Sequence, residues 1–190
     1  MSAVLVTVPY GLVSAHDLPL CAQTEIPSLA PVLYLSDILD LGDKSKISNK
    51  TICDTADKYW MLVDKTITAV PKSPNTKLSS FKLMPNRQLS SGEKKSPVYI
   101  GIEDGNLCLC CEGSADQPTL QVEEKDIQDL YNNGDKTMRF SFYQNTSGSN
   151  TFNFESAAHP GWFICTSPHP QEPVGLTNKL GETFITDFHF

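Results

Sequence analysis

From Asp57 to the C-terminus, short apolar runs recur at close spacing with turn residues between them. The runs are Tyr59 to Val63, Thr66 to Val70, Phe81 to Met84, Val98 to Ile102, Leu107 to Cys111, Thr119 to Val122, Arg139 to Tyr143, Thr151 to Phe154, Trp162 to Thr166, Val174 to Thr177 and Phe184 to Phe190. Several alternate. Phe140 and Phe142 share one phase of a period of 2, as do Phe152 with Phe154 and Phe188 with Phe190. Successive side chains point to opposite faces of a strand, so this is the pattern of strands. Asp64-Lys65, Asp104-Gly105-Asn106, Asn132-Asn133-Gly134 and Ser147-Gly148-Ser149 lie between runs and suit turns; the last three tolerate positive φ. Only Asp126 to Tyr131 looks helical, for about one turn. Many short strands with regular turns predict an all-β domain. Sandwich and closed barrel both fit the pattern.

Residues 1–50 are different. Pro9, Pro19, Pro27 and Pro31 interrupt them and no period of 2 is sustained. Leu33 to Leu41 allow a short amphipathic turn, and the polar run Gly42 to Lys50 reads as a linker. The expectation is a flexible N-terminal extension over 1–50, a candidate pro-segment, followed by a folded domain over 51–190. The apolar start, Ala3 to Val13, has no basic region before it and is broken by Pro9 and Gly11, which argues against a signal peptide. No run of about 18 apolar residues is present to span a membrane.

The formal net charge of -7 removes several partners from consideration. Three lysines against five acids leave -2 on residues 1–50, and the remainder carries -5. An acidic chain repels phosphate backbones and anionic lipid heads, so neither nucleic acid, a membrane surface nor a heparin-type ligand is expected.

The search for catalytic chemistry is mostly negative. Gly134-Asp135-Lys136-Thr137 ends like a phosphate loop but lacks its leading glycine. Cys108-Leu109-Cys110-Cys111 contains one Cys-x-x-Cys spacing and no second pair to complete a zinc site. In a strand, Cys108 and Cys110 face one way and Cys111 the other, which predicts buried thiols plus an exposed one. Cys21, Cys53 and Cys165 complete the set, read as reduced core residues. His159 and His169 flank Cys165 but belong to loops, and His16 and His189 have no partner pattern. No metal, cofactor or catalytic residue is expected. Asn49-Lys50-Thr51 and Asn145-Thr146-Ser147 fit the glycosylation pattern, which matters only in the secretory pathway.

One segment is more specific. Phe154-Glu155-Ser156-Ala157-Ala158-His159-Pro160-Gly161-Trp162-Phe163-Ile164-Cys165-Thr166, with Val174 eight positions on, resembles the signature of the interleukin-1 family. The elements are Phe154, Ser156, Pro160, Trp162, Phe163, Ile164, Cys165, Thr166 and Val174. Tyr59-Trp60-Met61-Leu62 through Thr68-Ala69-Val70-Pro71 is similar to the first hairpin of the interleukin-36 branch. Leu176 to Glu182 also looks like interleukin-36 agonists. Glu172-Pro173-Val174-Gly175 looks like interleukin-37, and Met84-Pro85-Asn86-Arg87 like the receptor antagonists. The resemblance covers Ile52 to Phe190.

The resemblance implies a β-trefoil: twelve strands in three pseudo-repeats, with a closed six-stranded barrel. It implies a secreted, monomeric cytokine that binds an interleukin-1-family receptor and its accessory chain. Such a protein is made in the cytoplasm without a signal peptide and leaves by an unconventional route. The leading expectation is an interleukin-36-like agonist of inflammatory and innate immune signalling; a receptor antagonist or interleukin-37-like suppressor on the same fold, and a non-cytokine trefoil binding module, remain open. Trp162, Phe163 and Ile164 are expected to bury apolar area as strand residues, with Phe154 beside them. Receptor contact then falls to three segments near Ile52 to Asp57, Pro168 to Glu172 and Asn178 to Glu182. Their candidate residues are Ile52, Asp54, Asp57, His169, Gln171, Lys179 and Glu182. Ile52-Cys53-Asp54 also resembles the motif that follows the processing site of interleukin-36 agonists.

Overall fold

The computed structural model describes residues 7–8, 11–12, 48–89, 95–134, 136 and 138–190. The amphipathic stretch Leu33 to Leu41, His16, Cys21, Asp135 and Thr137 lie outside them. The chain divides into two units, Met1–Asp40 and Leu41–Phe190. In the first, β1 (Thr7–Val8) pairs antiparallel with β2 (Gly11–Leu12).

In the second unit the sheet pairings run in a ring. β3 (Ser48–Lys50) pairs with β7 (Phe81–Pro85), and β7 with β8 (Lys95–Ile102). β8 pairs with β11 (Ser141–Thr146), and β11 with β12 (Phe152–Ser156). β12 pairs with β16 (Phe188–His189), and β16 with β4 (Cys53–Asp54). Only Thr51 and Ile52 separate this end from the starting strand. Three hairpins leave the ring: β5 (Lys58–Val63) with β6 (Thr66–Pro71), β9 (Leu107–Ser114) with β10 (Gln117–Glu124), and β13 (Phe163–Cys165) with β15 (Gly175–Thr177). A short β14 (Glu172–Pro173) lies on β6. With β3 and β4 counted as one strand interrupted at Thr51 and Ile52, six strands and three hairpins make the β-trefoil arrangement. Ser48–Lys50, read from sequence as part of a linker, is instead a strand of the ring.

The first hairpin turns at Asp64 and Lys65, with φ of 47° and 62°. Positive φ at both central residues matches the right-handed twist of the flanking strands. The helix α1 (Ile127–Asn133) is longer than the single turn expected. Asp126 caps it, its carboxylate accepting from the Gln128 N–H at 2.8 Å.

Two apolar clusters explain the cysteine pattern. The main core holds Ile52, Trp60, Phe81, Val98, Ile100, Leu109, Cys111, Phe142, Phe152, Phe154, Ile164 and Phe188, among others. Trp60 sits among three rings: Phe188 edge-on at 4.9 Å, Phe81 edge-on at 5.7 Å and Phe154 tilted at 6.1 Å. The second cluster lies under α1 and holds Met84, Tyr99, Cys108, Cys110, Ile127, Leu130 and Phe140. Alternate residues of β8 and β9 thus serve opposite clusters. Both faces are covered, so Cys111 is buried like Cys108 and Cys110, and no thiol of this run is exposed. Gly101 permits the helix to approach β8, because a Cβ there would stand 2.9 Å from Ile127 Cδ1.

Three aromatic expectations need correction. Phe140 and Phe142 do not share a face: Phe140 precedes β11 and joins the second cluster, while Phe142 enters the main core. Trp162 lies outside β13 and is half-buried, and Phe163 is also half-buried. The turn that places Ile164 inward leaves the indole at the rim, and Trp60 occupies the core instead. Phe190, one residue beyond β16, is 44% exposed while Phe188 is fully buried.

Candidate functional site

The signature residues act as scaffold. Phe154, Ser156, Ile164 and Thr166 have no exposed surface. Ser156 Oγ accepts from the His159 N–H at 3.2 Å and shapes the turn at Pro160-Gly161. Gly161 has a φ of 84°, and its N–H donates to Glu155 Oε1 at 3.0 Å. Burial pushes the Glu155 pKa up, but Lys95 at 2.8 Å and the Gly161 N–H outweigh it and hold the carboxyl below its usual range. Cys165 and Val174 are buried; Pro160 is exposed in the turn.

Two predicted contact residues are interior. Ile52 and Asp54 both have zero exposure. The Asp54 carboxylate accepts from the Ala56 and Lys58 N–H groups at 2.9 Å and from the Thr166 hydroxyl at 2.5 Å. The Lys58 ammonium lies 2.8 Å away, off the line of a good hydrogen bond, as an ion pair. Burial works to raise the Asp54 pKa, but these partners overcome it and the net shift is downward. Asp54 therefore ties the start of the domain to the signature strand. Contrary to the expectation of a contact surface here, neither it nor Ile52 presents surface to solvent. Asp57 is exposed, at φ 59°, where the chain enters β5.

The loop before β15 is brought onto the first hairpin. The Gln171 N–H donates to the Ala69 carbonyl, and the Val174 N–H to the Ile67 carbonyl, both at 2.8 Å. Exposed Gln171 thereby borders an open groove of about 400 Å³ with Met61, Val70, Pro71, Lys72, Ser73 and Thr76. The neighbouring His169 is exposed beside it in the chain, its N–H held by Ser167 Oγ at 3.2 Å. Lys72 also stands over the Tyr59 ring at 5.6 Å. Trp60 points inward while Tyr59, Met61 and Val63 take the other phase of β5, so this strand is apolar on both faces. That double phase is visible in the sequence and marks Met61; Val70, Pro71 and Lys72 join it from β6 and the residue beyond, and none of the four is among the expected contact residues.

Lys179 and Glu182 form a separate feature. Their charged ends are 3.7 Å apart, and both side chains are at least 60% exposed. The Lys179 N–H donates to Thr177 Oγ1 at 3.1 Å, and the bridge Thr166–Ile185 closes the base of the loop. The same loop exposes Leu180 and Phe184, 50% and 44% accessible, which the charge-based reading also omits.

The remaining polar clusters are structural. Burial pushes the Cys108 and Cys110 thiols up to about 12, and those of Cys111 and Cys165 to about 11. They stay protonated at neutral pH and are poor nucleophiles and ligands. Cys110, Glu112 and Glu123 converge within 4.8 Å, but Arg139 binds both carboxylates, Glu123 at 2.7 Å. That guanidinium stands where a cation would need to be. Asn145 is engaged within β11, donating to Asn153 Oδ1 at 3.0 Å, whereas Asn49 is exposed on β3.

A family model described as Interleukin-1 / 18 matches residues 73–190. The chain is 42% identical over 140 residues to interleukin-36 alpha of Homo sapiens, covering 73% of this chain and 88% of that protein. It is 40% identical over 141 residues to the interleukin-1 receptor antagonist protein of Mus musculus, covering 73% and 75%. The crystal structure of chicken interleukin 1 beta superposes with a TM-score of 0.62 at 32% identity, covering 76% of this chain and 97% of that one. Signature, fold and relatives agree: the chain belongs to the interleukin-1 family, as a β-trefoil cytokine and not an enzyme.

Proposed function

We propose that this cytokine binds an interleukin-1-family cell-surface receptor and, with an accessory chain, acts as an interleukin-36-like agonist of inflammatory and innate immune signalling. The observation that carries the reading is the groove between the first hairpin and the Gln171 loop. It is lined by apolar Met61, Val70 and Pro71 and by polar Lys72, Ser73, Thr76 and Gln171, brought together from segments distant in sequence. Interfaces draw most of their energy from such central apolar anchors, and a polar rim adds specificity. The loop carrying Leu180 and Phe184 supplies a second exposed apolar feature, suited to the accessory chain.

A second reading, antagonist or interleukin-37-like suppressor on the same fold, is favoured by the likeness to the receptor antagonist. The Met84 to Arg87 resemblance adds little to it, because Met84 and Asn86 are buried and the Asn86 amide donates to Ser141 Oγ at 2.9 Å. The protein acts as a monomer and leaves the cell by an unconventional route. The N-terminal extension restrains it until proteolysis, since additional chain joined to the start of the domain must be ordered or displaced when a receptor docks, which costs affinity.

The test is capture on interleukin-1-family receptor ectodomains, then a receptor reporter assay with and without a known agonist. Signal from the protein alone establishes the agonist. Suppression of the added agonist establishes the second reading. Absence of binding to every ectodomain removes both. A ladder of chains starting between Leu41 and Ile47 should gain potency as the extension shortens, and equal potency would leave the extension without a restraining role.

A further inference from the structure

One short segment closes the ring. β3 pairs with β7 on one side and, among the described residues, with no strand on the other. Two residues later, β4 pairs with both β16 and β5. Between them Ile52 is fully buried, and its carbonyl accepts from the Trp60 N–H at 3.0 Å. The Lys50 ammonium lies 5.2 Å above the ring of Phe190, which stacks on Phe152 at 4.2 Å. Asp54 is fixed to Thr166. Asn49 and Thr51, on either side of Lys50, are exposed. A protease holds its substrate as an extended strand, and a strand edge paired on one side offers that geometry.

We propose that the Lys50–Thr51 peptide bond is a regulatory cleavage site for a lysine-directed protease, and that its hydrolysis switches the domain off. One water is consumed. The Lys50 C–N bond breaks, Lys50 ends as a carboxylate, and Thr51 ends as an ammonium carrying the transferred proton. After the cut, among the described residues, β3 is held by its three-residue pairing with β7 and by the Lys50–Phe190 contact. Its loss leaves the β7 edge unpaired and takes the cation from Phe190. It also places a free charged terminus next to Ile52 in the core. The Lys50 side chain must leave Phe190 to enter a protease pocket, so this ring contact guards the bond.

The effect on receptor binding rests on the function proposed above, but the effect on the fold does not. The full chain is treated briefly with a lysine-specific endoprotease while intact mass, Trp60 emission and thermal unfolding are followed. The species beginning at Thr51 should appear together with loss of buried tryptophan emission and of cooperative melting. Lys50→Gln should abolish that coincidence although Lys44 and Lys46 remain cleavable. Phe190→Ala should make the cut several-fold faster. A Thr51 species with native emission and an unchanged melt would overturn the proposal. So would absence of this bond from the early cuts in both wild type and Phe190→Ala, or a cutting rate that ignores Phe190. None of these readouts involves a receptor, so their failure is separable from failure of the receptor assay.

Discussion

The segment Ile52 to Lys58 and the loop Asn178 to Phe184 each carry a lysine and an acid near apolar side chains, yet they fold to opposite environments. Asp54 and Lys58 are 2.8 Å apart with side-chain exposures of 0% and 5%. Lys179 and Glu182 are 3.7 Å apart with exposures of 68% and 60%. The same pair of charges is therefore a buried tie in one place and a solvated surface pair in the other. Breaking a buried pair strands the remaining charge and costs about 3–5 kcal/mol, whereas an exposed pair is worth roughly 0–1 kcal/mol. Apolar neighbours invert as well: Ile52 is fully buried, while Leu180 is 50% exposed.

The largest expected effect is on the buried side. Asp54→Ala should destabilise the domain by about 3–5 kcal/mol in denaturant unfolding, because Lys58 then remains buried without its counter-charge. Trp60→Ala should cost a similar amount, about 3–5 kcal/mol, and Trp162→Ala clearly less. Equal losses at the two tryptophans would place Trp162 in the core after all.

A smaller effect concerns acid. The Asp54 pKa is lowered from 3.8 in the folded state. Its contribution is complete above the unfolded value and is lost as pH falls through the lower, folded value. Stability should drop below about pH 4, and Asp54→Asn should flatten that part of the pH profile. A variant with the wild-type acid limb would assign acid sensitivity to another carboxylate.

The smallest effect on stability belongs to the exposed pair. Reversing both charges, Lys179→Glu with Glu182→Lys, should move stability by less than about 0.5 kcal/mol. Leu180→Asp with Phe184→Asp should also leave the fold intact, and it should weaken signalling more than the charge swap does. The reverse ranking would make the charges, not the apolar pair, the functional part of this loop.

This comparison also shows what a linear reading reaches. The strands were legible because alternation reports a local geometry, and the turn Asp64-Lys65 was bounded by its flanking runs. The alternation of Cys108, Cys110 and Cys111 was correct. The one exposed thiol expected among them is buried too, because a period of 2 says which residues share a face and nothing of what covers it. Here α1 covers one face and the ring core the other. Ile52 and Asp54 were misplaced for the same reason. The partners that bury Asp54, Thr166 and Phe188, are more than a hundred residues away, and no local pattern announces them. The groove depends on Gln171 meeting Ala69, a contact equally remote. Of its apolar lining, Met61 was legible, on the outward phase of a strand whose inward phase is also apolar.

The most direct test of the account is the affinity of the most potent chain of the shortening ladder for interleukin-1-family receptor ectodomains, compared with Met61→Asp and Val70→Asp in that same chain. Both residues are half-exposed on the groove and outside the main core. The wild type should bind one ectodomain, and each variant should fold with an unchanged melt yet lose about tenfold or more in affinity, the scale of one interface anchor. Wild-type affinity in both folded variants, or no ectodomain bound by the wild type, would contradict it.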